Sequence, residues 1–163
     1  MSSTNTIAIG LFSVAIASAF IISTGQAQAQ QKAPTAKTMA AFRACLAAEK
    51  PGVDCGQGVY DACQAAHEQP DTTLSITECS LVTHKAWDVI LNERYRALIA
   101  SSPPKLKLKL QKAQRAWIVS RDADCDAVYE NWIGGTIRGP MYAGCMVEKT
   151  SERAKWLKEM RED

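Results

Sequence analysis

The residues with the most definite chemistry in this sequence are its six cysteines, Cys45, Cys55, Cys63, Cys79, Cys125 and Cys145. An even set can be wholly consumed in disulfides, and six allow 15 complete pairings. No two are spaced as Cys-x-x-Cys, so thiol exchange and haem attachment have no support. Zinc would need histidines, and His67 and His84, the two present, make no recognised ligand spacing. A nucleophilic cysteine would need a thiolate beside a base, whereas six oxidised cysteines leave no thiol.

The carboxylates are equally uninviting as a reaction centre. Asp122, Asp124 and Asp126 imitate the start of a calcium loop. Its sixth position is Ala127 instead of Gly and its twelfth is Ile133 instead of Glu, so the motif fails and an acidic helix end is expected. No Gly-x-Ser-x-Gly and no phosphate-cradling loop occurs. No catalytic residue, cofactor or metal is therefore assigned, and the expected chemistry is that of a cross-linked, non-enzymatic protein. Arg121 and Asp122 adjoin, so on a helix they point about 100° apart and each should find its own partner. They are read as supports of the fold.

Disulfides imply an oxidising compartment, and the amino terminus agrees. Ile7 to Ser23 is an apolar run, followed by small residues ending in Ala27-x-Ala29. Residues 1–29 are read as a signal peptide cleaved before Gln30, although no Lys or Arg precedes the apolar run. About 17 residues is the lower limit for spanning a bilayer. The mature protein is expected to be periplasmic or secreted, with no membrane association after cleavage. Its net charge stays at +2, too near neutral to argue for nucleic acid.

The elements that must place these residues are helices. Residues 30–37 read as a solvated, flexible leader and 38–163 as the domain. Short helices are expected over Thr38–Glu49 and Gly58–Glu68, held by cross-links through Cys45, Cys55 and Cys63. A long helix should run from about Leu74 to Ser101, stopped by Pro103-Pro104. The next should run from about Lys105 to Asn131, and the last from Met141 to about Met160. The alternating Lys105–Leu110 leads straight into a helical pattern and is read as the start of that helix. Within Gln111–Cys125, the residues Ala113, Ala116, Trp117 and Ser120 recur at helical steps and are expected to form one face.

The fold class is thus all-α. It is expected as a long antiparallel helical hairpin, with a third C-terminal helix and the short N-terminal helices packed against it. Cys79 and Cys125 lie 24 and 22 residues from the hinge near Pro103, so equal rise places both at one pole. Cys145 should join them and Cys63 is the expected fourth, with the pairing left open by the spacing.

Three stretches now resemble a known family. Trp87-Asp88-Val89-Ile90-Leu91-Asn92-x-x-Tyr95-x-x-Leu98 is similar to the Ala-Asp-x-Glu-Leu-Asn-x-x-Tyr-x-x-Leu signature of the LprI-type lysozyme-inhibitor family. Gln114-x-x-Trp117-x-x-x-Arg121-Asp122-x-x-Cys125 resembles its second signature, and Gly134-Gly135, Cys145, Thr150, Arg153 and Leu157 resemble its third. The match covers about Cys63 to Leu157. This chain departs in carrying Trp87 for a small residue, Ile90 for an acid, and the additional Cys45 and Cys55. The resemblance implies a protein partner, a c-type lysozyme or another peptidoglycan hydrolase, bound and inhibited by an exported protein. The alternative is a cell-envelope interaction or structural protein without inhibitory activity.

Most matched residues are expected to hold the fold, with Trp117 and Tyr95 in the core. Asn92 is expected to be a buried amide fixing the hairpin register, because an unpaired one would cost roughly 1–3 kcal/mol. The candidate partner contact is the Gly134–Pro140 loop, with Gly134, Gly135 and Arg138, whose cation could meet the acidic pair of a lysozyme-like cleft. Asp122, Asp124, Asp126 and Glu130 should attract a basic target to that pole, with Lys105, Lys107, Lys109 and Lys112 facing away.

Overall fold

The computed structural model describes residues 32–51 and 54–162. The expected signal peptide and its cleavage site lie outside these residues. Five helices make up the described chain: α1 Ala36–Ala48, α2 Cys55–Gln64, α3 Thr73–Ser101, α4 Pro104–Asn131 and α5 Arg138–Glu162.

Each start has a local cause. Thr35 Oγ1 accepts from the Thr38 amide, so α1 begins two residues before the expected Thr38 and takes Ala36 and Lys37 out of the leader. The left-handed Glu49 ends it. Asp54 caps the Gly56 amide at 2.8 Å, which moves the start of α2 back from the expected Gly58 to Cys55. Thr72 and Ser75 form a reciprocal capping box on α3. Pro104 opens α4 and Pro140 sits in the first turn of α5, where a missing N–H breaks no helical bond. The expected loop therefore ends at Ile137, not Pro140.

Cross-links follow chain order: Cys45–Cys55 joins α1 to α2, Cys63–Cys79 joins α2 to α3, and Cys125–Cys145 joins α4 to α5. Three interhelical contacts show that α3 and α5 run parallel. The site of a Gly139 Cβ is 2.8 Å from Thr77 Oγ1, Lys155 lies over the Trp87 ring, and Arg94 donates to the Ala154 carbonyl. The helix α4 runs the other way, with Gln114 beside Arg153 and Asp124 bound to Lys149.

The principal seam differs from the expected hairpin between α3 and α4. The most extensive packing is α3 on α5, while α4 joins the bundle chiefly through α5. The side chains explain this. On α4 only Leu110, Gln114 and Cys125 are buried, and Leu106 and Leu108 face solvent. The α3–α5 seam instead buries Ala86, Trp87, Ile90 and Leu91 against Ala154 and Leu157, with Thr150 and Ser151 close by. Phe42 of α1 meets Trp87 edge to face, with ring centroids 4.9 Å apart, so Trp87 is the aromatic centre of the core.

The inward face of α4 also differs from expectation. Ala113, Ala116 and Ser120 are exposed, and the buried or half-buried line is Leu110, Gln114, Trp117, Arg121 and Cys125. These residues keep a helical period, but polar members replace the alanines: Gln114 is partnered by Arg153 of α5, and Arg121 by Trp117 and Asp122 of its own helix.

Candidate functional site

At one pole the chain turns from α4 into α5 through residues 132–137. Backbone bonds Ile133 N to Glu130 O, Gly135 N to Trp132 O and Arg138 N to Gly135 O fold this segment into consecutive tight turns. Gly134 adopts φ 90°, a left-handed conformation that a side chain would strain. The Cys125–Cys145 bond clamps the two helices that carry the loop.

The surface of this loop is apolar. Trp132, Ile133 and Ile137 are 41%, 65% and 45% exposed, and Met141 continues the patch onto α5. Leu74, 67% exposed, lies one turn before Thr77, which abuts Gly139, so α3 contributes at the same pole. Scattered exposed hydrophobics are ordinary, whereas here several fall together on one loop. Sequence reasoning singled out Gly134, Gly135 and Arg138 here and missed Trp132, Ile133 and Ile137. The available signal was a set of large apolar residues around Gly134-Gly135, where no helix period could bury them.

Arg138 lies in the first turn of α5 with its guanidinium 4.7 Å from the centre of the Tyr129 ring. Tyr129 in turn meets Tyr142 edge to face at 6.0 Å. Burial, with Asp126 and Asp122, holds the Tyr142 phenol above its ordinary pKa. Asp126 and Glu130 are exposed beside the loop, whereas Asp122 and Asp124 are engaged by Arg121 and Lys149.

The other matched residues knit the three long helices together. Arg153 of α5 lies over Trp156 at 4.2 Å and over Trp117 of α4 at 5.6 Å, and its Nε donates to Gln114 Oε1 at 3.0 Å. Burial depresses its pKa. Leu91 and Thr150 are buried, and Tyr95 packs partly buried on the core. Arg121 lies 5.0 Å from the Trp117 ring and binds the neighbouring Asp122 at 2.8 Å. The expectation of separate partners fails here because a long guanidinium side chain can bend back along the helix to the adjacent carboxylate. Asn92 is exposed, donating to the Asp88 carbonyl and carboxylate one turn back, so it fixes no interhelical register.

His67 Nε2 sits 3.9 Å from Cys63 Sγ and 3.6 Å from a Glu78 oxygen. Cys63, His67 and Cys79 cluster closely, but the two sulfurs are bonded to each other, which withdraws the thiolates that a metal would use.

Taken together, the fold and the exposed loop define a disulfide-clamped helical protein whose distinctive surface suits contact with another macromolecule. The family model described as lysozyme inhibitor LprI matches residues 63–157, and the chain belongs to that family. An uncharacterized protein of Rhizobium meliloti (strain 1021), R02472, is 27% identical over 143 residues, covering 80% of this chain and 94% of that protein. No solved structure matches this one.

Proposed function

We propose that this protein is exported to the periplasm or beyond, where it binds a lysozyme-like peptidoglycan hydrolase and inhibits it through the Trp132–Ile137 pole. The observation that carries this reading is the exposed apolar loop, fixed at its base by Cys125–Cys145 and standing on a chain of the LprI family. Among the described residues no helix is long and apolar enough to cross a membrane.

Physically, Trp132, Ile133 and Ile137 give the loop apolar anchors of the kind that dominate binding energy once desolvated. Arg138 stands at its base, within reach of a carboxylate at the mouth of a cleft. Asp126 and Glu130 on the same pole would guide a basic target and raise its on-rate more than its affinity. A preformed loop loses little entropy on binding.

The test is the lytic rate of a c-type lysozyme on bacterial cell walls, with and without the oxidised mature protein. Dose-dependent loss of lysis is expected. Trp132→Ala should raise the half-inhibitory concentration about thirtyfold, as expected for an aromatic anchor worth about 2 kcal/mol, while leaving the melting temperature unchanged. Unimpaired lysis at large excess would overturn the inhibitor reading and leave a non-inhibitory partner in the cell envelope.

A further inference from the structure

A second surface, separate from the loop, lies between α2, α3 and α5. It is a cleft of about 670 Å³ floored by Trp87 and walled by Tyr60 on one side and by α5 on the other. We propose that it binds a short peptide of about three residues with free amino and carboxyl termini.

The volume falls in the ordinary range of small-ligand sites, about 300–1,000 Å³. The face of α5 that borders it is open at its amino-terminal end, one turn before Glu148, since a Cβ on Gly144 would meet nothing within 4 Å. Glu148 and Lys155 stand on that same face with opposite charges, and neither forms an ion pair among the described residues. The Lys155 ammonium lies 5.9 Å from the centre of the Trp87 ring, which places it over the cleft floor. Asp54, also in the lining, is already engaged by the Gly56 amide.

Seven helical steps separate Glu148 from Lys155, about 10 Å at the usual rise. Three extended peptide residues span about 10 Å as well. A tripeptide can therefore set its ammonium against Glu148 and its carboxylate against Lys155, each as a charge-assisted hydrogen bond. Between the termini its amides need polar partners. Ser80 lies on the opposite wall, and the Tyr60 hydroxyl accepts from Gln64 Nε2, which leaves its proton to donate. A neutral sugar would make no use of the charge pair.

Titration calorimetry on the oxidised mature protein decides the matter, with trialanine, its N-acetyl and C-amide forms, and chitotriose as probes. Trialanine should bind saturably, and blocking either terminus should weaken it about tenfold, the order expected for one charge-assisted contact. Lys155→Met should bring trialanine down to the level of its amide, and Glu148→Gln should bring it down to the N-acetyl form. Gly144→Leu, at a position with open space one turn before Glu148, should fold normally and weaken binding by crowding the peptide's ammonium end. Absence of saturable trialanine binding, equal binding of blocked and free peptides, preference for chitotriose, or indifference to Gly144→Leu would each overturn the proposal. Because no lining residue belongs to the loop, the outcome is independent of lysozyme inhibition.

Discussion

His84 is half-buried on α3, its Nε2 without a hydrogen bond, facing Arg121 and Asp122 of α4 and near Lys85 and Asp88 of its own helix. Burial foremost, and then Arg121, hold the imidazole below its ordinary pKa of 6.5, against the opposing pull of Asp88 and Asp122. The unfolded chain thus binds the proton more readily than the folded one. Stability must fall as pH drops through about 6.5 and level off below the depressed folded value. Urea unfolding at pH 7.5 and pH 5.5 should show this loss, and His84→Gln should flatten that part of the profile. A profile identical in the variant would assign the loss to other groups. The same corner holds Arg121 against Trp117 and Asp122, so a charged His84 would be a second cation beside one already placed.

Among the helices, α5 decides the architecture, and its glycines show where it is tight and where it is open. The Cβ position of Gly139 lies 2.8 Å from Thr77 Oγ1, itself fixed by a 2.6 Å bond to the Thr73 carbonyl, whereas that of Gly144 meets nothing. Gly139→Val should therefore lower unfolding stability by about 2 kcal/mol through overpacking of the α3–α5 seam. Gly144→Ala should raise it by about 1 kcal/mol through helix propensity alone. Equal effects in chemical denaturation would contradict this reading of the seam. Much of the architecture was legible beforehand: Pro103-Pro104 and the capping residues mark the long helices, and the cysteine count implies a fully oxidised framework. The packing order was not legible, because both α4 and α5 carry helical periods and the sequence does not say which one supplies partners for polar residues. The family signature marks Gln114 and Arg153 as residues that hold the fold, but not that they bond to each other across helices. Asn92 looks like a core amide until its partner proves to be Asp88, one turn back. The glycines of the candidate contact loop could be picked out in advance, but its apolar residues only gain meaning once the turn exposes them.

For the molecule as a whole, the three disulfides are local staples, with sequence separations of 10, 16 and 20 residues. None spans the chain, so each secures a junction between successive elements or, for Cys125–Cys145, the base of the exposed loop. Loop-closure entropy grows slowly, about 0.6 kcal/mol for each doubling of length, around a total near 3 kcal/mol for a loop of this size. Removing Cys45–Cys55 or Cys125–Cys145 by paired Cys→Ser changes should therefore cost nearly the same stability, about 3 kcal/mol each. Their effects on binding should diverge. The first bond lies between α1 and α2, away from the Trp132–Ile137 loop, while the second holds the two helices from which the loop projects. With the second bond gone, the loop must be ordered on binding, and that entropy is subtracted from affinity. Inhibition by the Cys125→Ser/Cys145→Ser protein should weaken by at least about tenfold, roughly the ordering of one or two side chains, at a temperature where both variants remain folded. Equal potency in the two variants would show that the loop needs no clamp, and would move the contact surface elsewhere on the bundle.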